Sequence, residues 1–362
     1  MTMRIVKFSL VGVLLIVVVL LVLPEKVNPA AWSPPPNTDF TGKLAVNDEL
    51  LSANIIPLSS GYGPEDIAAD KQGRIYAGLN NGRITRILKD GTQEVFASIK
   101  DGRPLGLAFD RDGNLIVADA WRGLLSINTA GVVSVLTTEE GGKTFQFTDD
   151  VDIATDGKIY FSDASDTYSI PDYRFDILEA RGHGRLLVYD PKTKATTKLL
   201  DGLYFANGIA LSAKNNFVLV NETGRYRITR YWLKGDKAGT HDIFIDNLPG
   251  FPDGISSNRQ GSFWLAMPSP RNPVLDFAHD KPWLKSSLAK LPRFLQPDAI
   301  RQGIIIELDE GGNIVRSIQD SQGQKVHMIT SVEQVDKVLY LGNLESDHIA
   351  MYALTTNKPT RN

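Results

Sequence analysis

The stretch Phe147–Ala164, FTDDVDIATDGKIYFSDA, contains two short β-rich segments separated by an Asp-Gly turn. β-branched and aromatic residues recur in both segments, and an Asp-Gly pair between such segments is typical of a β-hairpin. The same phrase returns as GPEDIAADKQGRIYAGL at Gly63–Leu79, GRPLGLAFDRDGNLIVADA at Gly102–Ala120 and GFPDGISSNRQGSFWLAM at Gly250–Met267. A recurring hairpin with almost no helical periodicity predicts an all-β repeat protein.

The number and spacing of the repeats predict the architecture. Six copies begin roughly 40–75 residues apart, which is the range for four-stranded propeller blades with loop insertions; they start at Gly63, Gly102, Phe147, Tyr204, Gly250 and Gln324. We therefore expect a six-bladed β-propeller over residues 44–355, followed by a tail over 356–362. The segment Leu44–Pro57 is expected to complete the last blade and close the ring, because closure removes exposed sheet edges.

Composition excludes several classes of protein. The chain has 362 residues, with 39 Lys and Arg against 42 Asp and Glu, and it shows no basic cluster interleaved with aromatic residues. A nucleic-acid partner is therefore not expected. Cysteine is absent, which excludes disulfides, thiolate nucleophiles and cysteine-based metal sites.

The N-terminus has the pattern of a membrane anchor. Arg4 and Lys7 precede an apolar run from Phe8 to Leu23 that approaches the length of a transmembrane helix. We expect an uncleaved single-pass anchor within residues 1–31, with the basic end cytoplasmic and the propeller on the non-cytoplasmic side. A cleaved signal peptide and a secreted protein are the alternative. Residues 32–43 include three consecutive prolines and read as a stiff extended linker.

One position of the repeat is rich in oxygen-bearing side chains. The copies align on a turn residue, and the residue eight positions earlier begins the inner strand, next to the central channel. In chain order these residues are Glu65, Leu105, Asp149, Asn207, Asp253 and Ile329. Equivalent positions of a propeller converge on one axis, so we expect the four oxygen-bearing side chains to converge as well.

Such a group of oxygens predicts a metal site. Carboxylates that face one another repel unless a cation compensates their charge. A set of Glu65, Asp149, Asn207 and Asp253, without His or Cys, suits a hard ion, and Ca²⁺ is the best match because it accepts six to eight oxygen ligands. The sequence thus predicts one axial calcium ion.

Two insertions interrupt the repeat, at residues 166–183 and 271–300. Both contain aromatic and aliphatic residues, and the second mixes them with lysine and arginine in a helical pattern. We expect short helices that form a hydrophobic lid over the axial site; a surface helix packed on the propeller or lying on a membrane is the alternative. His327 is a candidate general base or a structural histidine. Ser162 is not in a G-x-S-x-G elbow, so it is a weak nucleophile candidate.

The repeat phrases resemble a known family. GRLLVYDPKTKATTKLLDGLYFANGIALS at Gly184–Ser212, LPGFPDGIS at Leu248–Ser256 and FTDDVDIA at Phe147–Ala154 are similar to the strictosidine synthase-like branch of the six-bladed propellers, which is related to gluconolactonase and paraoxonase. The resemblance covers about residues 40–355. It implies that Glu65, Asp149, Asn207 and Asp253 occupy the positions of the calcium ligands in the calcium-dependent relatives.

Two departures from that family bear on activity. Strictosidine synthase has a catalytic glutamate in its last blade, where the alignment gives Thr330 here. Paraoxonase places a histidine near the metal in its second blade, where this chain has Leu105. The resemblance therefore implies the fold more firmly than the reaction.

The sequence supports three functions in decreasing order. The first is a calcium-dependent hydrolase of a small hydrophobic ester or lactone, in which the ion polarises the carbonyl and Asp253 or Asp149 accepts a proton from water. The second is a non-catalytic, membrane-anchored binding propeller with a structural calcium. The third is a strictosidine synthase-type condensing lyase, which Thr330 disfavours. The substrate and the oligomeric state stay open.

Overall fold

The computed structural model describes residues 23–354, which form a ring of six four-stranded antiparallel sheets. The predicted six-bladed all-β propeller is therefore confirmed. Within residues 23–354, none of the helices has both the length and the apolar character needed to cross a bilayer. The predicted anchor, Phe8–Leu23, lies outside the described residues except for Leu23.

Each of the first three blades is a meander of consecutive strands. Blade one contains β2–β5, at Ile67–Ala69, Ile75–Gly78, Arg83–Ile87 and Gln93–Ser98. Blade two contains β6–β9, at Pro104–Phe109, Leu115–Asp119, Gly123–Ile127 and Val133–Thr137. A hairpin of β10 and β11 follows at Glu139–Glu140 and Lys143–Thr144. Blade three contains β12–β15, at Thr148–Ile153, Ile159–Asp163, Gly184–Asp190 and Ala195–Leu203.

The next blades repeat the meander, and helices occupy both insertions. Blade four contains β16–β19, at Ala206–Leu211, Phe217–Glu222, Arg227–Trp232 and His241–Ile245. Blade five contains β20–β23, at Ile255–Ser257, Ser262–Met267, Gly303–Asp309 and Ile314–Asp320. The helices are α1, α2 and α3, at Arg174–Glu179, Pro273–Ala278 and Pro282–Lys290. Short 3-10 helices lie at Gly42–Leu44, Glu49–Ser52, Thr223–Arg225 and Arg293–Leu295.

The last blade is completed by the start of the chain. Blade six contains β24–β26, at Ile329–Val335, Val338–Asn343 and His348–Ala353, with β1 (Asn54–Pro57) as its outermost strand. β1 pairs antiparallel with β26, so that Ile56 lies opposite Ile349. The predicted closure of the ring by the segment Leu44–Pro57 is therefore confirmed.

Apolar side chains pack between neighbouring sheets and fix the blades around the channel. Between blades four and five, Phe217, Phe263, Leu265 and Ile306 belong to one buried cluster. Each such side chain contributes about 1.5–3 kcal/mol when it is fully removed from water. The inner strands are thereby held at fixed positions around the axis.

The inner strands of blades two, three, four and six carry β-bulges near their first residues. The register shifts between Thr148 and Val151 in blade three and between Ala206 and Ile209 in blade four, with equivalent shifts in blades two and six. A bulge inserts an extra residue and re-aims the side chains beside it. In each of these strands the second residue lies within the bulge.

The segment predicted as a linker lies extended against the helices of the insertions. The backbone N–H of Ala30 donates to the carbonyl of Glu179 at 2.9 Å, and that of Trp32 donates to the carbonyl of His279 at 2.9 Å. Further along, Arg271 donates to the carbonyl of Pro35 at 2.8 Å. We call residues 24–38 the strap, because they cross from the end of the apolar run to the propeller body.

Candidate functional site

Six residues at the start of the inner strands, or just before it, form a ring at the end of the channel that faces the helices. Strand pairing places Thr330, and not Ile329, at the sixth position, because Ile329 pairs with Asn343 just as Thr148 pairs with Asp163 in blade three. The prediction of Ile329 is therefore wrong. We call the following residues the axial ring: Glu65, Leu105, Asp149, Asn207, Asp253 and Thr330.

The error has a simple geometric cause. In blade three, Ile153 and Ile159 close a hairpin with a five-residue connection. In blade six, Val335 pairs directly with Val338, so only two residues form the turn. Counting back from the turn therefore places Ile329 at the ring position of blade six, whereas counting from the bulge places Thr330 there.

Backbone hydrogen bonds between neighbouring blades hold the ring residues in place. The N–H of Gly208 donates to the carbonyl of Asp253 at 3.1 Å, and the N–H of Gly254 donates to the carbonyl of Thr330 at 2.8 Å. The hydroxyl of Thr330 then donates to the carbonyl of Glu65 at 2.7 Å. A Cβ on Gly208 would collide with the Asp253 carbonyl, so this close approach requires glycine.

The three carboxylates of the ring lie close enough to raise one another's pKa. Burial, followed by the charges of Asp149 and Asp253, holds the pKa of Glu65 well above its usual range. Burial and the charge of Asp253 do the same for the pKa of Asp149. Burial raises the pKa of Asp253 to about 7, and the neighbouring Asn207 amide partly offsets this rise in pKa. The four residues predicted to converge are therefore electrostatic neighbours.

One positive charge stands beside the ring. Arg103 is buried, and its Nη1 donates to the carbonyl of Gly63 at 3.0 Å. Burial lowers the pKa of Arg103, while the charges of Glu65 and Asp149 oppose that shift. One guanidinium cannot neutralise three carboxylates, so the ring favours a further cation.

The donor chemistry of the ring fits a hard divalent ion. Glu65, Asp149 and Asn207 are at most 8% exposed, and every side-chain donor is an oxygen, as Ca²⁺ prefers. Within residues 23–354, no three His, Cys, Asp or Glu side chains are already gathered as a formed metal cluster. Binding would require the carboxylates to close to about 2.3–2.6 Å around one point. The calcium site and its ligands stay a prediction.

A second tier of carboxylates lies one residue further into the channel. Asp66 accepts a hydrogen bond from the N–H of Leu107 at 2.8 Å, and Asp150 accepts one from the N–H of Ile209 at 2.6 Å. Both bonds join adjacent blades. These side chains thus fasten the inner strands together.

A cavity of about 190 Å³ lies between the ring and the helices. Asn207 and Asp253 are at its floor, and both insertions contribute to its walls. We call it the lid cavity; most of its lining is apolar, including Tyr173, Phe175, Phe205, Phe251, Leu275 and Leu288. The insertions therefore cover the ring from the side on which the sequence predicts a lid.

Asp253 is the ring carboxylate that reaches the lid cavity. Glu65 and Asp149 are not among the residues that line it. The rim carries one other carboxylate, Asp298, whose Oδ1 pairs with Arg293 at 2.6 Å. A substrate in the lid cavity would thus meet Asp253 and not Asp149.

The remaining candidates have structural roles or lie elsewhere. Ser162 is buried, and its hydroxyl accepts the N–H of Asp150 at 3.0 Å, so it supports the bulge. His327 does not line the lid cavity. Thr223 and Arg174 are polar residues of the cavity wall that the sequence did not single out, because neither occupies the ring position of the repeat.

The six-bladed propeller is a fold that this chain shares with solved structures. The gluconolactonase of Xanthomonas campestris superimposes with a TM-score of 0.61 over 92% of this chain and 99% of its own, at 18% identity. A regucalcin from Agrobacterium tumefaciens superimposes with a TM-score of 0.60 over 84% of this chain and 94% of its own, at 15% identity. At these identities the likeness shows the shared fold.

Sequence comparison identifies the family. The strictosidine synthase model matches residues 149–236, and the strictosidine synthase-like N-terminal model matches residues 42–87. Protein strictosidine synthase-like 10 of Arabidopsis thaliana is 34% identical over 98% of this chain and 100% of its own length. The adipocyte plasma membrane-associated protein of Salmo salar is 35% identical over 97% of this chain and 90% of its own length. The chain belongs to the strictosidine synthase-like family.

Proposed function

We propose that the protein is a calcium-dependent hydrolase of hydrophobic esters or lactones. The observation that carries the proposal is Asp253, a carboxylate held at the floor of an apolar cavity beside three further oxygen-bearing side chains. The cavity suits an apolar substrate, and the carboxylate suits proton transfer at its carbonyl group. The fold shared with a gluconolactonase is consistent with this reaction class.

The ring residues would hold the ion, and the ion would supply a positive charge that polarises the substrate carbonyl. Glu65, Asp149, Asn207 and Asp253 are the proposed ligands, with five of the six ring positions able to offer oxygen. Leu105 leaves one side of the ring apolar. That apolar side favours an incompletely closed coordination shell, as a catalytic ion requires.

Asp253 is proposed as the proton acceptor. Asn207 lies close enough to its carboxylate to lower its pKa, and its backbone is fixed by the N–H of Gly208 and the carbonyl of Ala266. A water molecule above it would lose its proton to Asp253 while its oxygen adds to the carbonyl carbon and the C=O pair moves to the carbonyl oxygen. When that pair returns, the C–O bond to the alkoxide would break, and the alkoxide would take the proton from Asp253. The lid helices would exclude bulk water from that reaction.

Lyase chemistry of the strictosidine synthase type is disfavoured by Thr330. Its hydroxyl is buried and already donates to the carbonyl of Glu65, and a hydroxyl does not replace the acid-base role of a glutamate. A binding propeller with a structural ion is the alternative that the assay below distinguishes.

The proposed location is a membrane, with the propeller on the non-cytoplasmic side. The apolar run Phe8–Leu23 supports an anchor, and the relatives include proteins named as plasma membrane-associated. The packing of residues 25–31 against the helices also supports an intact N-terminus, because cleavage near Ala31 would remove those contacts.

The test is hydrolysis of aryl esters and lactones with added calcium and with chelator. We expect turnover that requires calcium and that Asp253→Asn abolishes, because the amide keeps volume and an oxygen donor but cannot accept the proton. Asp298→Asn, at the rim of the same cavity, is the matched control and should retain activity. Calcium occupancy is measured for each variant. No turnover by the calcium-loaded wild type across a broad panel would favour the binding propeller.

A further inference from the structure

The second insertion exposes a dense group of large apolar side chains. Phe294, Trp283 and Phe277 are 82%, 69% and 62% exposed, which makes them the three most exposed large apolar residues of the described chain. Val274, Leu295 and Ile300 in the same insertion are also exposed. We call these six residues the lid face. Soluble monomers rarely expose large groups of apolar side chains, and such groups commonly mark an interaction surface.

Basic side chains accompany the lid face. The Nζ of Lys281 lies 3.9 Å from the centre of the Phe277 ring and donates to the Phe277 carbonyl at 2.8 Å. Among the five Lys and Arg residues of the insertion, Lys281 and Arg293 are accessible and each pairs with an Asp of the same insertion. The other three side chains are buried: Arg271, Lys285 and Lys290. Aromatic residues mixed with lysine and arginine are typical of a surface that lies at the boundary between water and lipid.

The strap connects this surface to the apolar run at the N-terminus. Glu25 pairs with Lys290 of α3, with 2.6 Å between Oε1 and Nζ. The apolar run ends at Leu23, only two residues earlier, so its last residue is within about 7 Å of Glu25 along the chain. A run inserted in a bilayer would therefore bring α3 to the surface of that bilayer.

The same insertion lines the lid cavity on its inner side. Leu275 of α2 and Leu288 of α3 face the cavity, while Phe277 and Trp283 of the same helices are exposed. A single layer of short helices thus separates the proposed lipid surface from the cavity above Asp253.

We propose that the lid face rests in the outer layer of the membrane that the N-terminus anchors, and that the substrate enters the lid cavity from the lipid. This proposal rests on the proposed hydrolase function. It assigns the substrate as an ester or lactone that is dissolved in the lipid and carries a long hydrocarbon chain. The bilayer is favoured over a second copy of the chain because the strap fixes the lid next to the apolar run.

The contact with lipid is tested by tryptophan fluorescence of the full chain in nanodiscs that contain brominated lipid. The difference between wild type and Trp283→Phe isolates the emission of Trp283. We expect brominated lipid to quench most of that emission and to leave the emission of Trp232, isolated by Trp232→Phe, unchanged. Trp232 ends the third strand of blade four, on the face of the propeller opposite the insertions, and serves as the control. Unquenched Trp283 emission, or shielding of Trp283 that depends on two copies per disc, would overturn the proposal.

The delivery of substrate is tested by kinetics in the same nanodiscs. The double variant Trp283→Ser with Phe294→Ser should raise KM for a long-chain ester dissolved in the lipid by about tenfold, because two apolar contacts with the membrane are lost. Hydrolysis of a short water-soluble ester should not change. The control double variant, Val132→Ser with Val135→Ser, alters exposed apolar residues of blade two and should leave both reactions unchanged.

The two proposals fail in different ways. Absence of any hydrolysis with quenched Trp283 emission would reject the hydrolase and keep the lipid surface. Hydrolysis of both esters with equal KM in wild type and the Trp283→Ser, Phe294→Ser variant would keep the hydrolase and reject delivery from the lipid.

Discussion

The Thr330 hydroxyl links the last and first blades at the axial ring. It is buried at 1% exposure and donates to the Glu65 carbonyl across the junction of blades six and one. Removing a donor from a buried carbonyl leaves that carbonyl without its partner, which costs about 1–3 kcal/mol. Glu65 depends on this bond for the position of its backbone.

We predict that Thr330→Val lowers the free energy of unfolding by about 1–3 kcal/mol. Valine keeps the shape of the side chain and removes only the hydroxyl, while Thr330→Ser keeps the hydroxyl and should lose less. Urea unfolding of both variants measures the difference. Equal stability of Thr330→Val and wild type would show that the bond contributes nothing.

Asp176 in helix α1 is a buried acid in the lid. It is 1% exposed, and its Oδ2 has no hydrogen-bond partner among the described residues. Burial raises the pKa of Asp176 to about 8, from a usual value of 3.8, and the charges of Glu179 and Asp166 add to the shift. The folded chain therefore keeps a proton on Asp176 at neutral pH that the unfolded chain releases.

The sign of the resulting pH dependence follows from the raised pKa. Asp176 costs no stability well below pH 3.8, where both states are protonated, and it destabilises the fold progressively as the pH rises toward 8. We predict that Asp176→Asn is more stable than wild type at pH 8, and that the difference shrinks by about 1.4 kcal/mol per pH unit on acidification. Urea unfolding at a series of pH values tests this, and a difference independent of pH would contradict it.

At the scale of elements, the strap depends on a buried lysine of α3. The Nζ of Lys285 donates to the carbonyl of Ala30 at 2.5 Å, and the side chain is fully buried. The other end of the strap is held at Arg271 and Pro35. Loss of the Lys285 bond should therefore loosen residues 24–31 and leave the propeller intact.

We predict that Lys285→Met accelerates amide hydrogen exchange in peptides that cover residues 24–33. Methionine keeps the length and the apolar stem but cannot donate to the Ala30 carbonyl. Lys281→Met, one turn earlier and more exposed, is the matched control and should leave exchange in the strap unchanged. Unchanged exchange in Lys285→Met would show that other contacts hold the strap.

The inner strands show what the sequence could and could not predict. The hairpin phrase predicted the blades, because turn glycines such as Gly73 and Gly157 adopt the positive φ that the phrase implies. Five ring positions followed from a constant distance to that turn. The sixth did not, because the turn in blade six is three residues shorter. The position of Arg103 and the docking of the strap depend on contacts between distant segments, which leave no local pattern.

At the scale of the whole molecule, the axial ring joins blades one, three, four and five through four proposed ligands. An ion bound only by the folded state stabilises it through mass action, by about 2.7 kcal/mol at a concentration one hundred times the Kd. We predict that a calcium chelator lowers the melting temperature of the wild type by several degrees. Asp149→Asn should weaken this response, and the absence of any shift in the wild type would count against the ion.

The pairing of β1 with β26 gives the propeller an order of assembly during synthesis. β1 leaves the ribosome early, yet its partner His348 follows Pro57 by about 290 residues. At about 5–20 residues per second, the first strand waits on the order of 15–60 s before its hydrogen-bonding edge is covered. A chain truncated before blade six would leave two strand edges unpaired, that of β1 and that of the last blade made, and both could pair with other chains. Newly made protein should therefore depend on chaperones until its last blade has been translated.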